Sequence, residues 1–205
     1  MNHIGLVVSS RRLECLILSC VFFASAVLAN AAPYQLNPKA KNRVEFQSSA
    51  TLESFSGKAK NITADFEIDP AILSKSTGKL TVDLRTLDTG LELRNKHMRE
   101  NHLNTDSFPN AVFDLDSVTG ATAMASTGAT NLTIHGTMTV HGVTRQVSAP
   151  GTLQAANGPA GTLQVRTEFP LKITDYDIPR PEFLFLKLAE EVKIVVDVTL
   201  EPVHK

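Results

Sequence analysis

Arg94, His97 and Met98 are the side chains of this chain best equipped to meet a ligand, and they stand together in the run RNKHMRENHLNTDSFPNAVF from Arg94 to Phe113. Arg94 and His97 are three residues apart, so on a helix they share a face and present a guanidinium and an imidazole side by side. That pair is suited to hydrogen bonding the polar end of a ligand. The plainer reading of His97, a partly buried histidine that fastens its helix to the neighbouring structure, stays open. Metal chemistry is poorly served, because His97 and His102 lie five apart, about 140° around a helix at ~100° per residue. His135 and His141 have no carboxylate or thiolate at metal-ligand spacing. No nucleophile with an oriented base is legible, so no catalytic residues and no enzyme are expected.

The elements that must position this segment are strands. Val44 and Phe46, then Ile62, Ala64, Phe66 and Ile68, alternate with polar neighbours. So do Leu80, Val82 and Leu84, and Leu132, Ile134, Met138 and Val140. Leu163 to Phe169 and Val192 to Leu200 repeat the pattern. Period-2 alternation gives each strand one apolar and one polar face, as in an antiparallel sheet wrapping one interior. Asp69-Pro70, Thr77-Gly78, Thr119-Gly120, His141-Gly142 and Asn157-Gly158-Pro159 read as turns between them. The fold expected is all-β: an elongated eight-stranded antiparallel barrel with a short helical insert near residues 91–103. Asp88 or Thr89 is placed to cap that helix, Glu92 and Lys96 to pair along it, and Pro109 to end it. A two-sheet sandwich would bury similar surface and is the competing architecture.

The ends and the composition set the setting. Arg11 and Arg12 precede an apolar run from Cys15 to Leu28, followed by Ala29-Asn30-Ala31. That pattern predicts a signal peptide over residues 1–31, cleaved before Ala32, and a periplasmic or secreted domain over 32–205. Both cysteines fall inside the peptide, so the domain has neither a disulfide nor a thiol nucleophile. The formal net charge of −1 gives no pull toward nucleic acid, and no other segment is apolar enough to expect an integral membrane protein.

Four separated fragments, in order, resemble the YceI-like family. They are Val44-Glu45-Phe46 with Phe55, Ser56 and Gly57; Arg94-Asn95-x-His97-Met98 with Phe108-Pro109 and Phe113; Gly136 to Thr144; and Asp175-Tyr176-Asp177-Ile178 with Pro181 and the strand from Glu191. One departure is Asp177, where the family commonly carries glycine. That substitution implies a positive φ, which aspartate tolerates better than most residues. The resemblance implies a lipocalin-like barrel, mostly bacterial, that holds a long-chain isoprenoid (a polyprenyl phosphate or an isoprenoid quinone) without transforming it. It implies no cofactor other than that lipid, and is compatible with a homodimer. Phe46, Phe55, Phe66, Phe113, Leu132, Ile134 and Val196 are the expected interior lining; Arg94 and His97 would meet the polar end, and Met98 and Tyr176 are further expected ligand-binding residues. Phe183 and Phe185, in the proline-flanked stretch Pro179–Leu186, would form a greasy portal. The alternatives are a filled barrel acting through protein contacts, and binding of another amphiphile such as a fatty acid or its amide. A void along the axis is what separates a tunnel from an ordinary core.

Overall fold

In the computed structural model, residues 31–49, 54–156, 161–180, 182–183, 186–187 and 189–203 are described. The segment expected to be a signal peptide lies outside them up to residue 30, as does Phe185 of the expected portal. The main sheet contains β1 (Ala32–Leu36), β2 (Arg43–Ser49), β3 (Ser54–Lys58), β4 (Ile62–Ile68), β5 (Thr77–Asp83), β6 (Asn110–Thr119), β7 (Thr130–Val140), β8 (Val143–Ala155) and β9 (Leu163–Lys172). The short β10 (Glu182–Phe183) and β11 (Leu186–Lys187) pair with each other, and β12 (Glu191–Pro202) returns to the main sheet.

All pairings are antiparallel, and β1 closes the sheet by pairing with β12. β12 takes β1 along its last residues and β2 along its first, so β1 and β2 form one broken strand. β3 lies on the free edge of β2 and β4 on that of β1, making a second broken strand. The result is a closed eight-stranded barrel, as the alternation suggested, and not a sandwich. Closure leaves one shared interior and pairs the strand edges except along the far side of β3.

The breaks shape one end. Beyond Lys58 the ladder between β3 and the next part of the wall is reduced to a single bridge, Lys58 with Asp88. The excursion from Leu84 to Pro109 covers that seam. It begins with a 3₁₀ turn at Leu84–Thr86, so Leu84 ends the strand pattern and does not extend β5. Helix α1 (Glu92–His97) follows and continues into one π-helical turn at Met98–His102, with Leu103 N–H donating to the Met98 carbonyl at 2.9 Å. No side chain caps α1. Asp88 Oδ1 instead accepts from Gly90 N–H at 2.9 Å, and Glu92 pairs with Arg99 at 2.9 Å in place of Lys96.

The opposite end is plugged by a 3₁₀ turn at Leu73–Lys75, whose Leu73 N–H donates to Thr122 O at 2.9 Å. Thr77-Gly78 is not a turn but the start of β5. The Phe66 ring lies over Gly78, where a Cβ would come 2.6 Å from Asp65 O, so only glycine fits beneath it. Asp177 adopts φ 54°, ψ 24°, the left-handed conformation its glycine-like position implied.

Candidate functional site

Inward side chains from the strands around the barrel enclose a cavity of about 140 Å³. Phe66 and Ile68 of β4, Leu80 and Val82 of β5, Phe113 and Leu115 of β6, and Leu132, Ile134 and Met138 of β7 line it. The far wall is Val147, Ala149 and Leu153 of β8, Val165 and Phe169 of β9, and Ile194 to Leu200 on alternate residues of β12, with Val44 of β2. On β12 this lining runs about 20 Å at ~3.3 Å per residue. Among the described residues the only polar side chains in the wall are Ser76, Thr152 and Thr167.

Burial is greatest at the two ends of the axis and least between them. Near the Leu73 plug the inward residues Ile68, Leu73, Val118, Leu132, Leu153, Val198 and Leu200 are buried. At the α1 end Ala111, Val140, Leu171 and Val192 are buried as well, and the inward residues Phe113, Met138, Phe169 and Ile194 between the two ends are only partly buried. Large apolar side chains left half-exposed on an inner face border unfilled space. Gly136 shows how closely the wall is fitted elsewhere. A Cβ there would collide with the Asp114 carbonyl and come 2.5 Å from Phe113 Cζ, so the tip of the Phe113 ring occupies the space over that glycine.

Of the residues expected to line the interior, Phe66, Phe113, Leu132, Ile134 and Val196 border the cavity. Phe46 and Phe55 stand outside it and stack edge to face, with centroids 5.9 Å apart. The residues expected at the polar end are not brought together. Arg94 lies with its guanidinium carbon 4.2 Å from the centre of the Phe55 ring. Its Nε donates to Thr89 Oγ1 and its Nη2 to Thr89 O, both at 3.0 Å. His97 is exposed and outside the cavity lining. The cause is Asn95, 4% exposed, a residue of the Arg94-Asn95-x-His97-Met98 fragment to which no role was assigned from sequence. Its Oδ1 accepts from Thr89 N–H at 2.8 Å and Thr89 Oγ1 at 2.7 Å, and its Nδ2 donates to Asp88 Oδ1 at 3.0 Å. Because Asn95 points into the wall, His97, two residues or about 200° further round, points away. Met98, on the Asn95 side, packs against the core.

Asp88 completes this anchor. Lys60, 2.8 Å away, with the Gly90 N–H and Asn95, holds its carboxyl well below the usual carboxylate range. A neighbouring cluster joins the insert to the β7–β8 turn and the segment after β9. His141 stacks on Phe108 at 4.9 Å, and its Nδ1 is 3.2 Å from Tyr176 O. His102 Nδ1 is 3.0 Å from Pro179 O. Tyr176 is buried, which raises the pKa of its phenol, and it lies outside the cavity lining. The backbone of Glu182–Phe183 pairs with Leu186–Lys187. His135 is on the outer surface, between Thr119 and Ser148. Among the described residues no three His, Cys, Asp or Glu side chains are grouped to hold a metal, and no helix is long and apolar enough to cross a membrane.

A closed antiparallel barrel with an apolar cavity and a helix across one seam defines a class of protein, the lipocalin-like binding barrel. The profile of the YceI-like domain matches residues 34–200, and the chain belongs to that family. A UPF0312 protein of Vibrio campbellii is 27% identical over 157 residues, covering 74% of this chain and 80% of the relative. Among solved structures, BcnA of Burkholderia cenocepacia superposes with a TM-score of 0.66 at 21% identity, over 77% of this chain and 95% of that one. A polyisoprenoid-binding domain from Saccharophagus degradans, implicated in plant cell wall breakdown, gives 0.66 at 18% identity, over 84% and 99%. These likenesses establish the shared fold.

Proposed function

We propose that this chain is an exported binding protein that sheathes the tail of an isoprenoid lipid inside its barrel. The observation that carries this reading is the apolar cavity itself, bordered by half-buried inward side chains where a filled core would bury them. Its volume of about 140 Å³ is close to that of an engineered cavity that accepts benzene, ~150 Å³. The space therefore suits about one isoprene unit, and a longer tail has to continue beyond it toward the α1 end. Each buried methylene contributes about 0.8 kcal/mol, so ten carbons supply roughly 8 kcal/mol, micromolar affinity before ordering costs. Binding of this kind needs no charged residue in the wall.

The relation to a polyisoprenoid-binding domain favours an isoprenoid over a straight fatty chain. Arg94 and Asn95 act here by fastening the insert over the seam. The way in proposed is the α1 end, beside the exposed Leu91 and Leu93, where a tail has to pass the buried Val140, Leu171 and Val192. Export rests on the basic and apolar segments before Ala32. Holding the lipid, with no chemistry done to it, is the role proposed. Native mass spectrometry after gentle purification tests it: a co-purifying prenyl lipid, recovered unchanged, is expected. A protein that emerges empty and, once delipidated, takes up no added prenyl quinone would overturn the proposal.

A further inference from the structure

Ser76 is the one feature of the cavity that a purely greasy tube does not need. It follows the Leu73–Lys75 plug, lines the cavity and is 3% exposed. Its backbone N–H is satisfied by Leu73 O at 3.0 Å. Its hydroxyl has no hydrogen-bond partner, and it is the only such buried side-chain atom among the described residues. The wall hydroxyl of Thr167, by contrast, donates to Pro150 O at 2.7 Å. A buried hydroxyl without a partner is destabilising, whereas alanine at this position would close the wall at no such cost.

We propose that Ser76 is a head-group site: the ligand enters polar end first, and an uncharged oxygen of a quinone, phenol or alcohol meets the Ser76 hydroxyl at the plugged end. This rests on the lipid-binding reading above and narrows its ligand class. A serine hydroxyl both donates and accepts, so it serves a carbonyl or an alcohol equally well. A phosphate does not fit. Among the described residues no cationic side chain lines the cavity, and the same loop contains Asp69, 3% exposed, whose carboxylate accepts from the Ala71 and Ile72 N–H groups. A buried dianion there would have no compensating charge. The prenyl tail then runs back along Phe113 and Met138 toward α1.

The test uses delipidated protein and three probes with the same tail: a prenylated benzoquinone, the corresponding prenylbenzene, and the prenyl phosphate. Wild type should bind the quinone five- to tenfold more tightly than the hydrocarbon, the ratio expected of one net hydrogen bond in a dry site. Ser76→Ala should abolish that ratio while leaving affinity for the hydrocarbon unchanged, and Ser76→Thr should retain it. Ser76→Ala should also raise the melting temperature of the empty protein, since it removes an unsatisfied group. Quinone-ring protons should show nuclear Overhauser contacts to the Leu73 methyl groups. A quinone preference that persists in Ser76→Ala, ring contacts to Ile194 and Met138 instead, or tighter binding of the phosphate would each overturn the head-first assignment while leaving the lipid carrier intact. Failure of all three probes to bind would remove the carrier reading and this one with it.

Discussion

Enlarging a residue in the cavity wall should stabilise the empty protein and weaken its ligand at the same time. Ala149 on β8 is 3% exposed, borders the cavity and faces Ile134 across the ladder. Ala149→Leu adds three carbons, worth about 2.4 kcal/mol at ~0.8 kcal/mol each if they enter unfilled space. The void sets a ceiling. A cavity of about 140 Å³ costs roughly 3.4 kcal/mol at ~24 cal/mol per Å³, so the gain is near 2 kcal/mol. For a chain of this size that raises the melting temperature by about 4–8 °C. The same three carbons displace part of a bound tail, so affinity for a prenyl quinone should fall roughly fifty-fold, at ~1.4 kcal/mol per tenfold. Differential scanning calorimetry of delipidated protein and titration calorimetry of the ligand read the two effects separately. In a filled barrel the added carbons would overpack and cost about 1–3 kcal/mol. A lower melting temperature with unaltered lipid affinity would therefore refute the tunnel.

Other perturbations probe the supporting structure. Gly136→Ala drives a methyl group against the Asp114 carbonyl, which cannot swing aside; it should cost about 1–3 kcal/mol in urea titrations, and an unchanged midpoint would show that Phe113 does not seal that wall. Asn95→Ala removes three hydrogen bonds and should cost about 2–3 kcal/mol, with faster proteolysis between residues 88 and 103 as the local readout. If cleavage there stays slow, the helix is held by other contacts. Acid should loosen the same anchor. The Asp88 pKa is depressed in the folded state by Lys60, Gly90 N–H and Asn95, so its stabilising contribution is complete above the ordinary carboxylate range, near pH 4, and is lost as pH falls toward the lowered value. Amide exchange over residues 88–95 should accelerate below about pH 4 in wild type and show a smaller pH response in Asp88→Asn; identical profiles would clear Asp88 of this role.

Local sequence carried the barrel because a strand has a period of two and every strand here shares one interior. Ile62 to Ile68 and Val192 to Leu200 declare their inner faces in their order alone, so Phe66 and Val196 could be named as interior without coordinates. The positive φ of Asp177 came from the resemblance, whose glycine at that position implied it, and not from this chain's own order. The helical insert was placed correctly by its change of period, but its orientation was not. Whether His97 or Asn95 faces the wall depends on Thr89 and Asp88 folding back to meet the amide. Spacing on a helix relates side chains to one another and not to what lies beside them. Gly78 was misread because the reason for a glycine there is the Phe66 ring on the adjacent strand. The cavity and the unpaired Ser76 hydroxyl belong wholly to the tertiary structure. A void is a difference between the space the backbone encloses and the volume the side chains fill, and hydrogen-bond satisfaction depends on neighbours distant in the chain; neither quantity is written in the order of the residues.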